Sequence, residues 1–278
     1  MAIDLHLHSN RSDGTDPPER IVELAVAARL DAIALTDHDT LEGIEEARAA
    51  AAGRIRLVPG VELSVEWPTG AMHLLGYWTE PGTGPVEERL AELRQDRNRR
   101  NAEILGALRG LGIDITVDEI VAEAGGSSVG RPHIAAVLLR KGEVASIAEA
   151  FDRYLARGRP AYRPRLRLEA AVATGLIHEA GGVASVAHPH TVATSAAEFG
   201  RAFEAFADAG IDGVECHYAE YAPDQRQHLA TMAERLGLVP TGGSDYHGDN
   251  KPGLAVGSGH GDLRVPDDVL DRLEQRRR

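Results

Sequence analysis

Seven short apolar runs, at 3–8, 32–35, 57–61, 72–78, 183–187, 211–214 and 238–241, constrain this chain more than any other feature. Stretches with helical periodicity separate most of them, and such alternation predicts a parallel sheet covered by helices. Six of the seven runs finish in His, Asp or Glu: His6-Leu7-His8, Asp37-His38, Glu62, His188, Glu215 and Ser244-Asp245-Tyr246-His247. In a closed α/β barrel the C-terminal strand ends share one mouth, so closure would gather these side chains from across the chain. An open sheet would spread them along an edge, and a barrel is therefore expected. His73 breaks the rule by standing near the start of its run. Either that run is a hairpin strand of opposite sense, or His73 reaches in from a loop.

Local signals fill in the remainder. Asp16-Pro17-Pro18-Glu19 reads as a helix start, with Asp16 as cap, Pro17 in the first turn and Glu19 at the capping-box position. A second helix is expected at roughly 41–52. Between 85 and 167 only helical patterning is found: one long helix or two at 87–111, then 117–123, 132–141 and 147–156, with loops at 125–128 and 157–160. The expected organisation is a barrel from 1–84 and 168–278, with a helical insertion at 85–167. Helix, Gly181-Gly182 stop and strand then resume.

The 278 residues carry a net charge of -13, which argues against tight duplex binding over the whole surface. Residues 94–167 hold 14 Lys and Arg against 9 Asp and Glu, a local balance of +5 that suits capture of an anion. No run of about 18 apolar residues is present, so no membrane partner is expected. One cysteine, Cys216, allows no intrachain disulfide and fits a reducing cytoplasm.

His6 and His8 stand i, i+2, which on a strand turns both imidazoles to one face. Together with Asp13, His38, Glu62, His73, His188, Asp245 and His247 they make nine candidate metal ligands. That is too many for one ion and suits two or three, with Glu62 bridging. Mixed imidazole and carboxylate donors favour Zn, Mn or Fe over Mg. Close-set ions can share a hydroxide as nucleophile and hold phosphoryl oxygens. A closed structural zinc site would more commonly use thiolates.

The series Asp4-Leu5-His6-Leu7-His8-Ser9, Ser12-Asp13-Gly14, Thr36-Asp37-His38, Gly60-Val61-Glu62, Ala187-His188-Pro189 and Ser244-Asp245-Tyr246-His247 resembles, in order and over nearly the whole chain, the motifs of the polymerase-and-histidinol-phosphatase (PHP) family. The resemblance implies a distorted (β/α)7, TIM-like barrel whose di- or trinuclear centre hydrolyses phosphate esters. It implies one ion at His6, His8, Glu62 and Asp245, a second at Glu62, His73 and His188, and a third at Asp13, His38 and His247. Some members carry histidine where Asp13 stands. The insertion, with Gly130-Arg131-Pro132-His133, resembles members that act on nucleotides, either 3′,5′-bisphosphate nucleotides or short 5′-phosphorylated oligonucleotides. A histidinol-phosphate type of small-molecule phosphatase is the alternative, followed by amidohydrolase-like C–N hydrolysis and by a non-enzymatic metal-binding domain.

Three further residues are candidates near the reacting groups. Arg131 and His133 are expected to bind phosphate, Arg131 as a bidentate fork unless it pairs with a carboxylate inside the insertion. His217 either protonates a departing ribose oxygen or packs against Tyr218 or Tyr221. Asp37 either orients His38 or is itself a ligand. The insertion's few aromatics, Phe151, Tyr154 and Tyr162, offer little stacking platform for a long single strand.

Overall fold

Strand β1 (Ile3–Leu7) is buried along its whole length, as a parallel strand covered on both faces should be. Helix α1 (Pro18–Ala27) begins after Pro17, which makes no side-chain cap. The capping expected of Asp16 does not form, because Asp16 Oδ2 instead accepts from the Tyr246 hydroxyl at 2.7 Å. Strand β2 (Ala32–Leu35) and helix α2 (Ile44–Ala51) follow, the helix shorter than its pattern. Strand β3 (Arg56–Trp67) runs past Glu62, because it continues as an antiparallel hairpin with β4 (Gly70–Tyr77). Ser64 pairs with His73 in that hairpin. His73 thus stands at the start of a strand of opposite sense, the first of the two alternatives.

The computed structural model describes residues 2–82, 84–124 and 129–278; the loop expected at 125–128 lies outside them. The chain divides into two compact units, Met1–Glu88 with Arg167–Arg278, and Arg89–Leu166. Among the described residues, four helices lie between β4 and the next strand: a single α3 (Pro85–Gly110), α4 (Val117–Ala124), α5 (Arg131–Arg140) and α6 (Ile147–Ala150). One π-helical turn, Phe151–Leu155, extends α6. Ile104, Leu108, Ile134, Leu138 and Leu155 are buried in the core of this unit.

The larger unit resumes with β5 (Leu168–Glu169), α7 (Ala170–Glu179), β6 (Val183–Val186), α8 (Ala196–Asp208), β7 (Gly213–Tyr218), α9 (Pro223–Arg235), β8 (Val239–Gly243) and α10 (Val269–Glu274). The sheet order is β1-β2-β3-β4-β6-β7-β8, with β5 attached to β3. Every pairing on that path is parallel except the two made by β4. The path curls into a nearly closed barrel. Asp245 N–H donates to His6 O at 2.9 Å and His8 N–H to Tyr246 O at 3.0 Å, which joins the segment after β8 to the end of β1. Leu5, Ala34, Leu75, Val183 and Val239 lie in the buried cluster of this unit. Among the described residues no helix is long and apolar enough to cross a membrane.

Candidate metal centre

Barrel closure delivers the polar strand ends to one place. Gly243 permits it, since a Cβ there would stand 2.5 Å from His6 N and 2.9 Å from Asp4 Oδ1. The Asp4 carboxylate accepts from Ser244 N–H at 2.9 Å and Ser244 Oγ at 2.6 Å, which fixes the segment leading to Asp245. His188 and Asp245 both have left-handed backbone, with φ of 27° and 52°. Such strain in residues other than glycine is characteristic of functional positions.

Glu62 lies at the centre. Its Oε2 is 3.3 Å from His6 Nε2, 3.1 Å from His8 Nε2 and 3.1 Å from His38 Nδ1. Its Oε1 is 2.9 Å from His73 Nδ1 and 3.0 Å from His188 Nε2. One oxygen thus faces three imidazoles and the other faces two. Asp245 Oδ1 is 3.5 Å from both His6 Nε2 and His8 Nε2. Asp13 Oδ1 is 3.2 Å from His247 Nε2, and Asp13 Oδ2 is 3.5 Å from His38 Nε2. All nine residues singled out in the sequence therefore meet in the larger unit. Donor atoms of three subsets lie within 4.8 Å of one another: His8, Asp13, His38 and His247; His6, His8 and Asp245; and His38, Glu62 and His73.

Proton inventory tests whether these residues fit cations. His6 Nδ1 is 2.9 Å from Glu215 Oε1, a carboxylate that only accepts, so Nδ1 carries a hydrogen and Nε2 is the nitrogen left to face a cation. That Nε2 stands 3.0 Å from His8 Nε2. His247 Nδ1 likewise donates to Asp245 O at 2.8 Å, which turns the Nε2 lone pair toward Asp13. Nδ1 of His38 and of His73 is buried without a hydrogen bond, although each lies beside Glu62. Nitrogen and carboxylate donors gathered this closely call for a cation between them, a proton or a metal ion. Ligands about 2.0–2.1 Å from one ion stand about 3.0–3.4 Å apart, close to the spacing found here. The donor set fits divalent ions.

The electrostatics are mutual. Burial disfavours the charge on His6, but Glu215, Asp245 and Glu62 outweigh it and raise its pKa well above the usual value. Burial and the neighbouring His247 push His8 down to about 3, which keeps it neutral, the form that binds metal. Burial opposes the charge on Glu62 as well, yet His38, His73 and His6 hold its carboxyl well below the ordinary range.

Supporting residues that no ligand motif marks complete the cluster. Glu215 is fully buried; besides His6, it accepts from His188 N–H at 2.7 Å. It stands at the end of an apolar run, so the same rule that marked the ligands marked it too. The Tyr218 hydroxyl donates to Asp245 Oδ2 at 2.8 Å, and Lys251 Nζ pairs with the same oxygen. Asp37 faces away from His38. It accepts from Ser9 N–H, Ser9 Oγ and Ser12 Oγ, and burial lifts its pKa to about 6.

His217 is not brought to this cluster. Strict alternation would give Glu215 and His217 one face, but a register shift in β7 lies between them. Tyr218 takes the inward position. The charged groups that act on His217 are Arg226 and Glu234 of α9 and Asp268 before α10; burial, then Arg226, lowers its pKa to about 4. Arg131 and His133 belong to the helical unit. Arg131 Nη1 donates to Leu155 O at 3.0 Å, its guanidinium lies over Phe151 and Tyr162, and His133 Nδ1 accepts from Gly130 N–H at 3.0 Å.

The PHP domain pattern matches residues 4–159. The chain is 34% identical over 250 residues to the 5′-3′ exoribonuclease Rnm of Escherichia coli K12, covering 89% of this chain and 85% of that protein. It is 33% identical to a 3′,5′-nucleoside bisphosphate phosphatase of Chromobacterium violaceum, covering 92% and 90%. A solved amidohydrolase structure from Chromobacterium violaceum, with bound sulfate and no metal, superposes with a TM-score of 0.80 at 31% identity, covering 98% and 97%.

Proposed function

This chain belongs to the PHP domain family, and on that footing we propose that it is a divalent-metal-dependent phosphoesterase acting on phosphate esters of nucleotides. The observation that carries the reading is Glu62, whose two oxygens face separate sets of imidazoles as a bridging carboxylate would. The proposed ligand sets are His6, His8, Glu62 and Asp245; Glu62, His73 and His188; and Asp13, His38 and His247, for two or three ions of Mn, Zn or Fe. Such ions, when bound, neutralise phosphoryl oxygens and acidify water. The chain's own part is to hold the donors in the correct form. Glu215 keeps the His6 hydrogen on Nδ1, and burial keeps His8 neutral. Tyr218 and Lys251 hold Asp245 so that Oδ1 faces the imidazoles.

The substrate class is proposed from relatives named for 5′-3′ exoribonuclease and 3′,5′-nucleoside bisphosphate phosphatase activity. Arg131 and His133 are proposed to contact phosphate, and the single cysteine supports a cytoplasmic location. An amidohydrolase reading draws on the name of one structural neighbour, yet that structure holds sulfate, a tetrahedral oxyanion shaped like phosphate. The test is turnover by chelated and Mn-reconstituted protein of adenosine 3′,5′-bisphosphate, short 5′-phosphorylated RNA, histidinol phosphate and an N-acyl amino acid. Release of phosphate or nucleoside monophosphate from the first two supports the proposal. Amide cleavage without turnover of any phosphate ester overturns it.

A further inference from the structure

Beside the metal cluster lies a histidine to which no proposed ligand set gives a part. His190 sits in the short turn Pro189–Thr191 that follows His188, and it is partly buried. Its ring centroid is 5.7 Å from that of His188, whose Nε2 faces Glu62. It is 5.5 Å from that of Tyr218, whose hydroxyl holds Asp245. The ring thus flanks the two side chains that lead to Glu62 and to Asp245. Its turn is pinned, since Thr191 N–H and Thr191 Oγ1 both donate to His188 O, at 3.1 and 3.3 Å. Tyr221, between β7 and α9, braces the ring from another side, with centroids 5.6 Å apart and planes at 83°.

Tyr221 also sets the hydrogen on this ring. Its Oη accepts from His190 N–H at 3.0 Å, and its own hydrogen has Nδ1 of the same residue as acceptor, 3.0 Å away. Among the described residues no other acceptor meets the Tyr221 hydroxyl. An Nδ1 that accepts leaves the ring hydrogen on Nε2. Among the described residues nothing accepts from that Nε2. A nitrogen that carries hydrogen cannot ligate a cation, so His190 is a donor at the mouth of the centre and not a tenth ligand. The backbone N–H of His190 already anchors Tyr221, so the imidazole is not needed for that purpose. A fixed N–H beside bound cations needs no reorganisation when an anionic oxygen arrives, and hydrogen bonds to charged oxygens are the strong ones. We infer that His190 is a substrate-contacting residue whose Nε2–H donates to an oxygen of the phosphoryl group, with Tyr221 as its positioning residue. The identity of that oxygen rests on the phosphoesterase reading; the fixed donor does not.

The experiment has two arms on the full chain. Two-bond proton–nitrogen correlation spectra of the metal-free protein, assigned by the signal lost in His190→Phe, read the tautomer. Hydrogen on Nε2 is expected, and Tyr221→Phe should mix the two forms. Inorganic phosphate is then titrated calorimetrically into Mn-loaded protein. His190→Phe keeps a ring and loses both nitrogens. It should weaken phosphate binding, and lower kcat/KM for adenosine 3′,5′-bisphosphate, by about tenfold or more, the effect of losing a hydrogen bond to a charged group. Its Mn affinity should stay within about twofold of wild type. His190→Gln, whose amide can stand near the place of Nε2, should recover about threefold or more of the phosphate affinity; His190→Asn, whose amide stands near Nδ1, should not. Should His190→Phe not fold, His190→Asn is read in its place. A histidine that only braces its turn would lower the melting temperature in every variant and leave phosphate affinity alone. That result, hydrogen found on Nδ1, or Mn affinity that falls together with phosphate affinity overturns the inference. Phosphate binding that depends on His190, with no phosphate ester turned over by wild type, supports the donor and overturns the phosphoesterase reading alone.

Discussion

Glu215→Gln is a sharp probe of the proposed centre, because it changes one atom and no volume. The wild-type carboxylate accepts twice, from His6 Nδ1 at 2.9 Å and from His188 N–H at 2.7 Å. A glutamine has one acceptor and one donor end. If its oxygen stays on His188 N–H, its NH2 faces His6 Nδ1 and forces the hydrogen to Nε2, the atom that faces Glu62 and Asp245. If the amide turns round, His188 N–H loses its acceptor in a fully buried place, and the φ of 27° at His188 loses a restraint. Either way one proposed ligand is impaired. Replacing the group that orients a ligating imidazole typically costs ten- to a hundredfold in metal affinity, or about 1.4–2.8 kcal/mol. The assay is competition against a chromophoric chelator for Zn or Mn, paired with activity across metal concentrations. The expected result is an activity curve displaced to higher metal by at least tenfold, with the fold intact by circular dichroism. Affinity and activity within twofold of wild type would refute the tautomer argument.

Three further outcomes are expected. Tyr218→Phe removes the hydroxyl that donates to Asp245 Oδ2 at 2.8 Å; a hydrogen bond to a charged group is worth about 1.5–3 kcal/mol, and Lys251 retains part of the restraint, so metal affinity should fall about tenfold with little change in urea midpoint. Gly243→Ala sets a Cβ 2.5 Å from His6 N at the barrel closure, and should destabilise by about 1–3 kcal/mol and lower the metal content of purified protein; wild-type stability would show that the closure yields freely. Glu198 accepts from Thr194 N–H and Oγ and from Ser195 N–H at the start of α8, which lowers its pKa from 4.5 to about 2. A depressed carboxyl stabilises fully above its unfolded value and loses that contribution as pH falls toward its folded one. The melting-temperature gap between wild type and Glu198→Gln should therefore close between pH 4.5 and 2, and a constant gap would contradict the assignment.

Seven of the nine residues of the cluster, all but Asp13 and His73, were legible because a barrel converts a one-dimensional rule into a place. Apolar runs ending in His, Asp or Glu mark the mouth whatever the loops between them do, and His-x-His survives translation into structure because a strand alternates. The helical character of 85–167 was equally readable from periodicity. What escaped depended on contacts between distant segments. Asp16 lost its cap to Tyr246, a partner 230 residues away. The sense of the strand bearing His73 was open until β4 paired antiparallel with both β3 and β6.

Which elements form, and which chemical groups stand at their ends, follows from the order of the amino acids, since propensity, periodicity and residue type are local properties. Tertiary structure alone decided which groups serve those ends. One irregularity in β7 sends His217 to the helices and Tyr218 to Asp245, and no periodic pattern records a bulge. Glu215 likewise has no role until the closed barrel sets His6 and His188 on its two oxygens.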